Sequence, residues 1–212
     1  LHGTSEEPPP PVFRAYGAVA FEDEADLLAQ DALATCSDKG WRTQETLGQA
    51  HGFINYALTG PFPDRLVFSA KTLRDRVQVL ADGVLVGSAY RGDNKNVSIA
   101  LPSSMTRLDL LVENCGRVNY GRELVDDRKG FLEPPFDANP TVTCLPLADL
   151  SAIEWHSIKP GSSPAAPRFY RGHLQINDVH DTYLDTRGLS KGLIWVNGRN
   201  LGRYWETRGP QH

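Results

Sequence analysis

Between Gly52 and Gly116 the chain alternates short apolar runs with tight clusters of Gly, Pro, Asp and Asn. The runs are "FINYALTG", "DRLVFSA", "DRVQVLADGVLVGSAY", "NVSIALP" and "TRLDLLVENCG". Short Val-, Leu- and aromatic-rich runs at such regular intervals predict an all-β sandwich rather than βαβ units. "LDLLVEN" (108–114) alternates too little for a half-exposed strand, so burial on both faces is expected. A second β-rich stretch holds "TVTCLPL", "IEWHSI", "RFYRGHLQI", "DTYLDTRG" and "GLIWVNGRNLGRYW". Upstream, Leu27, Leu28 and Leu33 hint at a short helical turn.

Two of these runs echo each other. Residues 77–90 ("VQVLADGVLVGSAY") and 192–205 ("GLIWVNGRNLGRYW") share one outline: an apolar strand, Asp-Gly or Asn-Gly, then an aliphatic followed by Gly. A two-residue type I′ turn needs positive φ at both centres, which Asn, Asp and Gly tolerate best. Both segments are therefore expected to be antiparallel hairpins, turning at Asp82-Gly83 and Asn197-Gly198. The shared aliphatic-Gly argues for one β-sandwich design used twice.

Proline places the boundaries. "EPPFDANP" (133–140) holds three prolines in eight positions and reads as a connecting arm. "KPGSSPAAP" (159–167) reads as a surface loop. The expected organisation is a Pro-rich lead-in (1–11), a first β-domain (12–132), a linker (133–140) and a second β-domain (141–212).

Composition narrows the function classes. The chain has 212 residues, 40% hydrophobic and 23% charged, with a formal net charge of −4. No basic cluster suits a nucleic-acid backbone, and no apolar run approaches the roughly 20 residues of a bilayer span. The first residue is not methionine, which suggests a chain cut from something longer. Three cysteines without CxxC spacing read as buried thiols with room for one disulfide. The sequon Asn96-Val97-Ser98 barely informs the compartment.

Little catalytic chemistry is visible. There is no phosphate-binding glycine loop, no GxSxG elbow and no HExxH, so no metal site and no cofactor is expected. A glycosidase needs two carboxyl groups facing each other across the scissile bond. Asp126 and Asp127 point to opposite faces of an extended segment, and with Arg122, Arg128 and Lys129 they read as surface ion pairs. No catalytic residue is assigned.

Two long blocks carry a family likeness. "LDLLVENCGRVNYGRELVDDRKG" (108–130) and "KGLIWVNGRNLGRYWETRGPQ" (191–211) resemble the C-terminal β-domains of β-galactosidases of glycoside hydrolase family 35. "AYGAVAF", "GFINYALTG", "RDRVQVLADGVLVG" and "FYRGHLQI" extend the likeness over nearly the whole chain. The resemblance implies two galactose-binding-like jelly rolls that accompany a catalytic (β/α)8 barrel acting on galactose-containing glycans. Nothing here resembles the barrel or its two glutamates. The chain stops at "GPQH" where the family continues into another strand, so the second jelly roll is expected to lack its last strand. Family members occur in lysosomes, secretions, cell walls and bacterial cytoplasm, and the compartment stays open.

By the same resemblance, the "GRVNYG" loop (116–121) leans toward the barrel mouth. Tyr120 and Asn119 then shape the substrate entrance and Arg117 anchors the loop. The bland alternative is that Tyr120 packs inward and Arg117 braces a strand end. In the final hairpin Trp195 is expected to point inward. Arg203, Tyr204, Trp205 and Arg208 are expected at an interdomain or sugar contact, with Tyr204 and Trp205 on opposite faces. The competing functional reading is a free-standing carbohydrate-binding module using exposed aromatics, with Trp41, Tyr90, Tyr204 and Trp205 as candidates.

Overall fold

The computed structural model describes residues 10–93, 95–159 and 166–208. Most of the Pro-rich lead-in, the 160–165 part of the surface loop and the final GPQH lie outside the described residues. The chain divides into two compact units, Glu24–Phe169 and Leu1–Asp23 with Tyr170–His212.

Regular structure among the described residues is strand, with helix only as 3-10 turns. The first strands are β1 (Asp23–Asp26), β2 (Cys36–Lys39), β3 (Phe53–Thr59), β4 (Arg65–Ser69) and β5 (Leu73–Arg74). Next come β6 (Arg76–Ala81), β7 (Val84–Tyr90), β8 (Asn96–Ala100), β9 (Arg107–Glu113) and β10 (Gly130–Phe131). The last are β11 (Thr141–Leu145), β12 (His156–Ser157), β13 (Arg168–Arg171), β14 (Lys191–Val196) and β15 (Arg199–Trp205). The expected turn around Leu27 and Leu33 forms as two 3-10 turns, Leu27–Ala29 and Asp31–Leu33.

The Glu24–Phe169 unit is a β-sandwich. Its main layer is a six-stranded sheet in the order β2-β11-β3-β9-β6-β7, antiparallel at every pairing. Alternation sends Ile54, Tyr56 and Leu58 of β3 and Leu108, Leu110 and Val112 of β9 to one face. There they meet Leu66 and Phe68 of β4, Val97 of β8 and Phe131 of β10 in a single core. Burying each such side chain is worth about 1.5–3 kcal/mol. On β9 the opposite-facing Asp109, Leu111 and Glu113 are buried too, so this strand is covered on both faces, as its poor alternation predicts. Strand β11 follows the Pro-rich arm yet pairs between β2 and β3. The arm thus joins two parts of one unit.

Pairing of β11 with β2 sets Cys144 directly opposite Cys36. The two form a disulfide that closes 108 residues of sequence; Cys115 is not part of it. Closing a loop of this length stabilises a fold by about 2–5 kcal/mol on chain-entropy grounds.

Both expected hairpins are present, β6–β7 and β14–β15. Their turns have positive φ at Asp82 (47°) and Gly83 (81°), and at Asn197 (50°) and Gly198 (78°). The register shifts once in each hairpin, between Val79 and Leu80 and between Ile194 and Trp195. These are equivalent positions. Each bulge sits beside the glycine of the shared aliphatic-Gly: Gly87 pairs with Val79, and Gly202 with Ile194. The echo therefore extends to the irregularity.

The hairpins differ in burial. Leu80 and Val79 are fully buried, whereas no residue of β14 or β15 is. Trp195, expected as an inward anchor, is only half-buried, because a two-stranded ribbon cannot enclose its own side chains.

Aromatic packing under the sandwich edge fixes one glycine. Trp41 stacks among Tyr56, Phe131 and Phe136, at centroid distances of 5.2, 5.7 and 5.9 Å. Its indole N–H donates to the Ala138 carbonyl at 2.8 Å. Tyr56 donates its hydroxyl to the Arg42 carbonyl at 2.6 Å and accepts the Phe131 N–H at 3.3 Å. Burial pushes that phenol far above its usual pKa. Gly130 has φ of 120°, and a methyl placed there would overlap the Tyr56 hydroxyl. Gly130→Ala is expected to lower stability by at least about 2 kcal/mol, from steric conflict together with backbone strain. A denaturant melt checks this, with Gly116→Ala, where a methyl meets nothing, separating backbone strain from overlap.

Candidate functional site

Strand β9 ends at Glu113, and the chain then leaves the six-stranded sheet as "NCGRVNYGRELVDDRKG" (114–130) and runs into β10, which pairs with β5 in a separate two-stranded sheet. The first turn is set by Asn114, whose Oδ1 accepts the Gly116 N–H at 2.9 Å. Its amide donates to Gln44 Oε1 at 2.9 Å and to the Ala50 carbonyl at 3.1 Å. Positive φ falls on Gly116 (115°) and Gly121 (95°). It does not fall on Asn119, whose tolerance of the left-handed region goes unused.

Charges close the base of this loop. Lys129 is fully buried and Asp75 is 1% exposed. The ammonium donates to both Asp75 carboxylate oxygens, at 3.2 and 3.1 Å, and to Asp127 Oδ1 at 2.9 Å. Arg91 adds a second cation at 2.9 Å from Asp75 and 3.7 Å from Asp127. Backbone donors complete the arrangement: the Cys115 N–H reaches Asp75 at 2.7 Å and the Val118 N–H reaches Asp127 at 2.8 Å. Partial burial disfavours the Asp127 anion, but the Val118 N–H and Lys129 outweigh it and hold the carboxyl below its ordinary pKa. Lys129 is thus no surface cation. The surface pairs of this segment are Arg128–Asp126 at 2.7 Å and Arg122–Glu123 at 3.4 Å.

Arg117 makes further contacts across the base of the loop. It pairs with Glu45 at 2.5 Å and donates to the carbonyls of Asp127 at 2.8 Å and Ala50 at 2.9 Å. Glu45 also accepts the Lys129 N–H at 2.9 Å. One carboxylate from a distant 3-10 turn therefore grips both ends of the loop.

What this frame carries is apolar and uncovered. Tyr120 is 88% exposed, Val125 92% and Leu124 54%. Tyr120 contributes nothing to the core of this unit. Asn119 is exposed beside it. An exposed aromatic on a loop braced by buried ion pairs suits a contact surface.

The other candidates lie in the second unit. Lys191 sits over the Trp205 ring at 4.8 Å and Arg208 at 5.9 Å, so two cations flank that indole. The Tyr204 ring lies against Gly192, where any side chain would strike it. Burial raises its phenol pKa, with a smaller contribution from Tyr170. Tyr204, Trp205 and Arg203 are half-buried, and Arg208 is exposed. Tyr120, Asn119 and Arg117 share one loop, and the hairpin residues form a separate group. Trp41, a stacking candidate, belongs to the core cluster instead. Glu45 and Asp75 carry no local signal, since Arg117 and Lys129 lie 72 and 54 residues away from them. Among the described residues no cluster of side chains suits a metal ion, and no helix is long and apolar enough to cross a membrane.

Comparison with known proteins covers both parts of the chain. A family model for the first all-beta domain of beta-galactosidase matches residues 42–142. Another, for the beta-galactosidase galactose-binding domain, matches residues 167–212. A protein named Beta-galactosidase from Xanthomonas manihotis is 36% identical over 170 residues, covering 79% of this chain and 28% of its own. Beta-galactosidase 1 of Dictyostelium discoideum is 36% identical over 233 residues, covering 93% and 34%. Beta-galactosidase of Homo sapiens is 33% identical over 190 residues, covering 77% and 28%. The chain thus spans about a third or less of the length of these relatives.

Proposed function

The chain belongs to the β-galactosidase family as its non-catalytic β-domains, and on that premise we propose that it docks on a catalytic barrel and shapes the barrel's substrate entrance. The enzyme so completed releases terminal β-galactose from glycans. The observation that carries this reading is the 114–130 loop. Buried ion pairs fix its base, while Tyr120, Leu124 and Val125 stand uncovered at its tip. A side chain must be held within about half an ångström to shape a site, and a loop tied at both ends by Glu45 meets that need. Apolar side chains presented on such a frame gain by being covered, at about 25 cal/mol per Å². Arg203, Tyr204, Trp205 and Arg208 form a second contact, in which the cation-flanked indole meets another domain or a sugar.

On this account the chain hydrolyses nothing by itself. The purified polypeptide is expected to give no turnover of a chromogenic β-galactoside, and a longer protein that adds a barrel is expected to give it. Hydrolysis by the chain alone, abolished by substituting one of its own residues, would overturn the reading.

A further inference from the structure

We infer that the sheet face opposite the core holds a binding site for a neutral saccharide, separate from the 114–130 loop. A groove of about 350 Å³ lies there, with Asn55, Thr141 and Thr143 among its lining and the 3-10 turns that carry Leu27, Leu28 and Asp31 beside it. Arg107 and Lys39 line it as well.

The hydrogen bonding selects the ligand chemistry. Asn55 is 4% exposed, and its amide donates to Asp109 Oδ1 at 2.8 Å. Its Oδ1 is buried and accepts a hydrogen bond from no described residue. Buried acceptors in native proteins are nearly always paired, so an orphan in the lining of a groove calls for a donor. A fully ionised anion cannot supply one, and a hydrogen phosphate could do so only through its residual O–H while bringing an added negative charge. The nearest guanidinium is also committed: Arg107 makes a forked pair with Asp109, Nε to Oδ2 at 2.7 Å and Nη2 to Oδ1 at 2.9 Å. Lys39 donates to Thr141 Oγ1 at 2.6 Å, and Asp31 adds a negative charge that acts on Arg107. What suits the groove is a neutral molecule that both donates and accepts and offers apolar faces to Leu27 and Leu28. A sugar ring has hydroxyls at its edges and C–H groups on its faces.

This inference does not rest on the β-galactosidase reading, because binding here is measured without turnover. The chain, isotope-labelled, is titrated with lactose and separately with sodium phosphate while backbone amide resonances are followed. Lactose is expected to shift the amides of Asn55, Thr141, Thr143 and Arg107, and phosphate is not. Thr143→Val removes one hydroxyl at constant volume and is expected to weaken binding about fivefold, the size of one lost hydrogen bond. Ala57→Leu fills the groove and is expected to abolish binding; if that variant does not fold, Thr143→Val carries the test alone. Absence of lactose-induced shifts at these four residues overturns the inference. So do shifts confined to residues 116–121, shifts by phosphate alone, or undiminished binding by folded Thr143→Val.

Discussion

Lys129→Ala is expected to cost about 3 kcal/mol of stability, the low end for breaking a buried ion pair and the largest loss from any single substitution considered, because it leaves the buried Asp75 carboxylate with Arg91 as its remaining cation. Asp75 is 1% exposed and Lys129 fully buried, so bulk solvent does not screen the carboxylate. Arg91, at 2.9 Å, retains part of the pairing, which sets the loss below that of a wholly unpaired ion. The corresponding fall in Tm is roughly 6–12 °C. Lys71→Ala, at an exposed position, should stay within about 0.5 kcal/mol. A cycle with Asp75→Asn should return a coupling above about 1 kcal/mol, since both variants break the same contact. Additive losses would mean that the pair is not a functional unit.

The same network sets a pH dependence. The folded Asp127 carboxyl titrates below the ordinary 3.8 of an aspartate. Its contribution is therefore complete above that value and disappears as pH falls through the lower folded pKa. Acid unfolding of the intact chain should show this loss below about pH 4, and Asp127→Asn should remove it.

Local sequence made the hairpins legible. Asn-Gly and Asp-Gly turns are set by the φ preferences of adjacent residues, so no distant partner is needed to see them. "LDLLVEN" was legible for a similar reason: its missing alternation says that both faces are covered. The 114–130 loop was visible through its glycines and Tyr120, but its anchoring was not. Lys129 sits among Asp126, Asp127 and Arg128 and looks like a solvated cation in sequence. Only the approach of Asp75, 54 residues earlier, makes it a buried one. Strand β11 follows a proline-rich arm and looks like the start of a new domain. Its pairing with β2 and β3 is a long-range choice that local pattern does not encode. Trp41 offered an aromatic for sugar stacking, but Tyr56, Phe131 and Phe136 claim it for the core.

The 114–130 loop is proposed to serve a catalytic site that it does not itself contain. Tyr120→Ala in a full-length β-galactosidase carrying these β-domains tests this most directly. Tyr120 is 88% exposed within the chain, so its removal should leave the folding of the β-domains unchanged to within about 0.5 kcal/mol. If the ring forms a wall of the entrance, its loss removes about 1–3 kcal/mol of contact with substrate, aglycone or a barrel side chain. At a factor of ten per 1.36 kcal/mol, kcat/KM should fall about 5- to 150-fold. Thermal stability and kcat/KM are measured on the same preparation. An unchanged Tm with the loss of kcat/KM is expected; an unchanged kcat/KM in the folded variant would mean that the loop has no part in the substrate entrance.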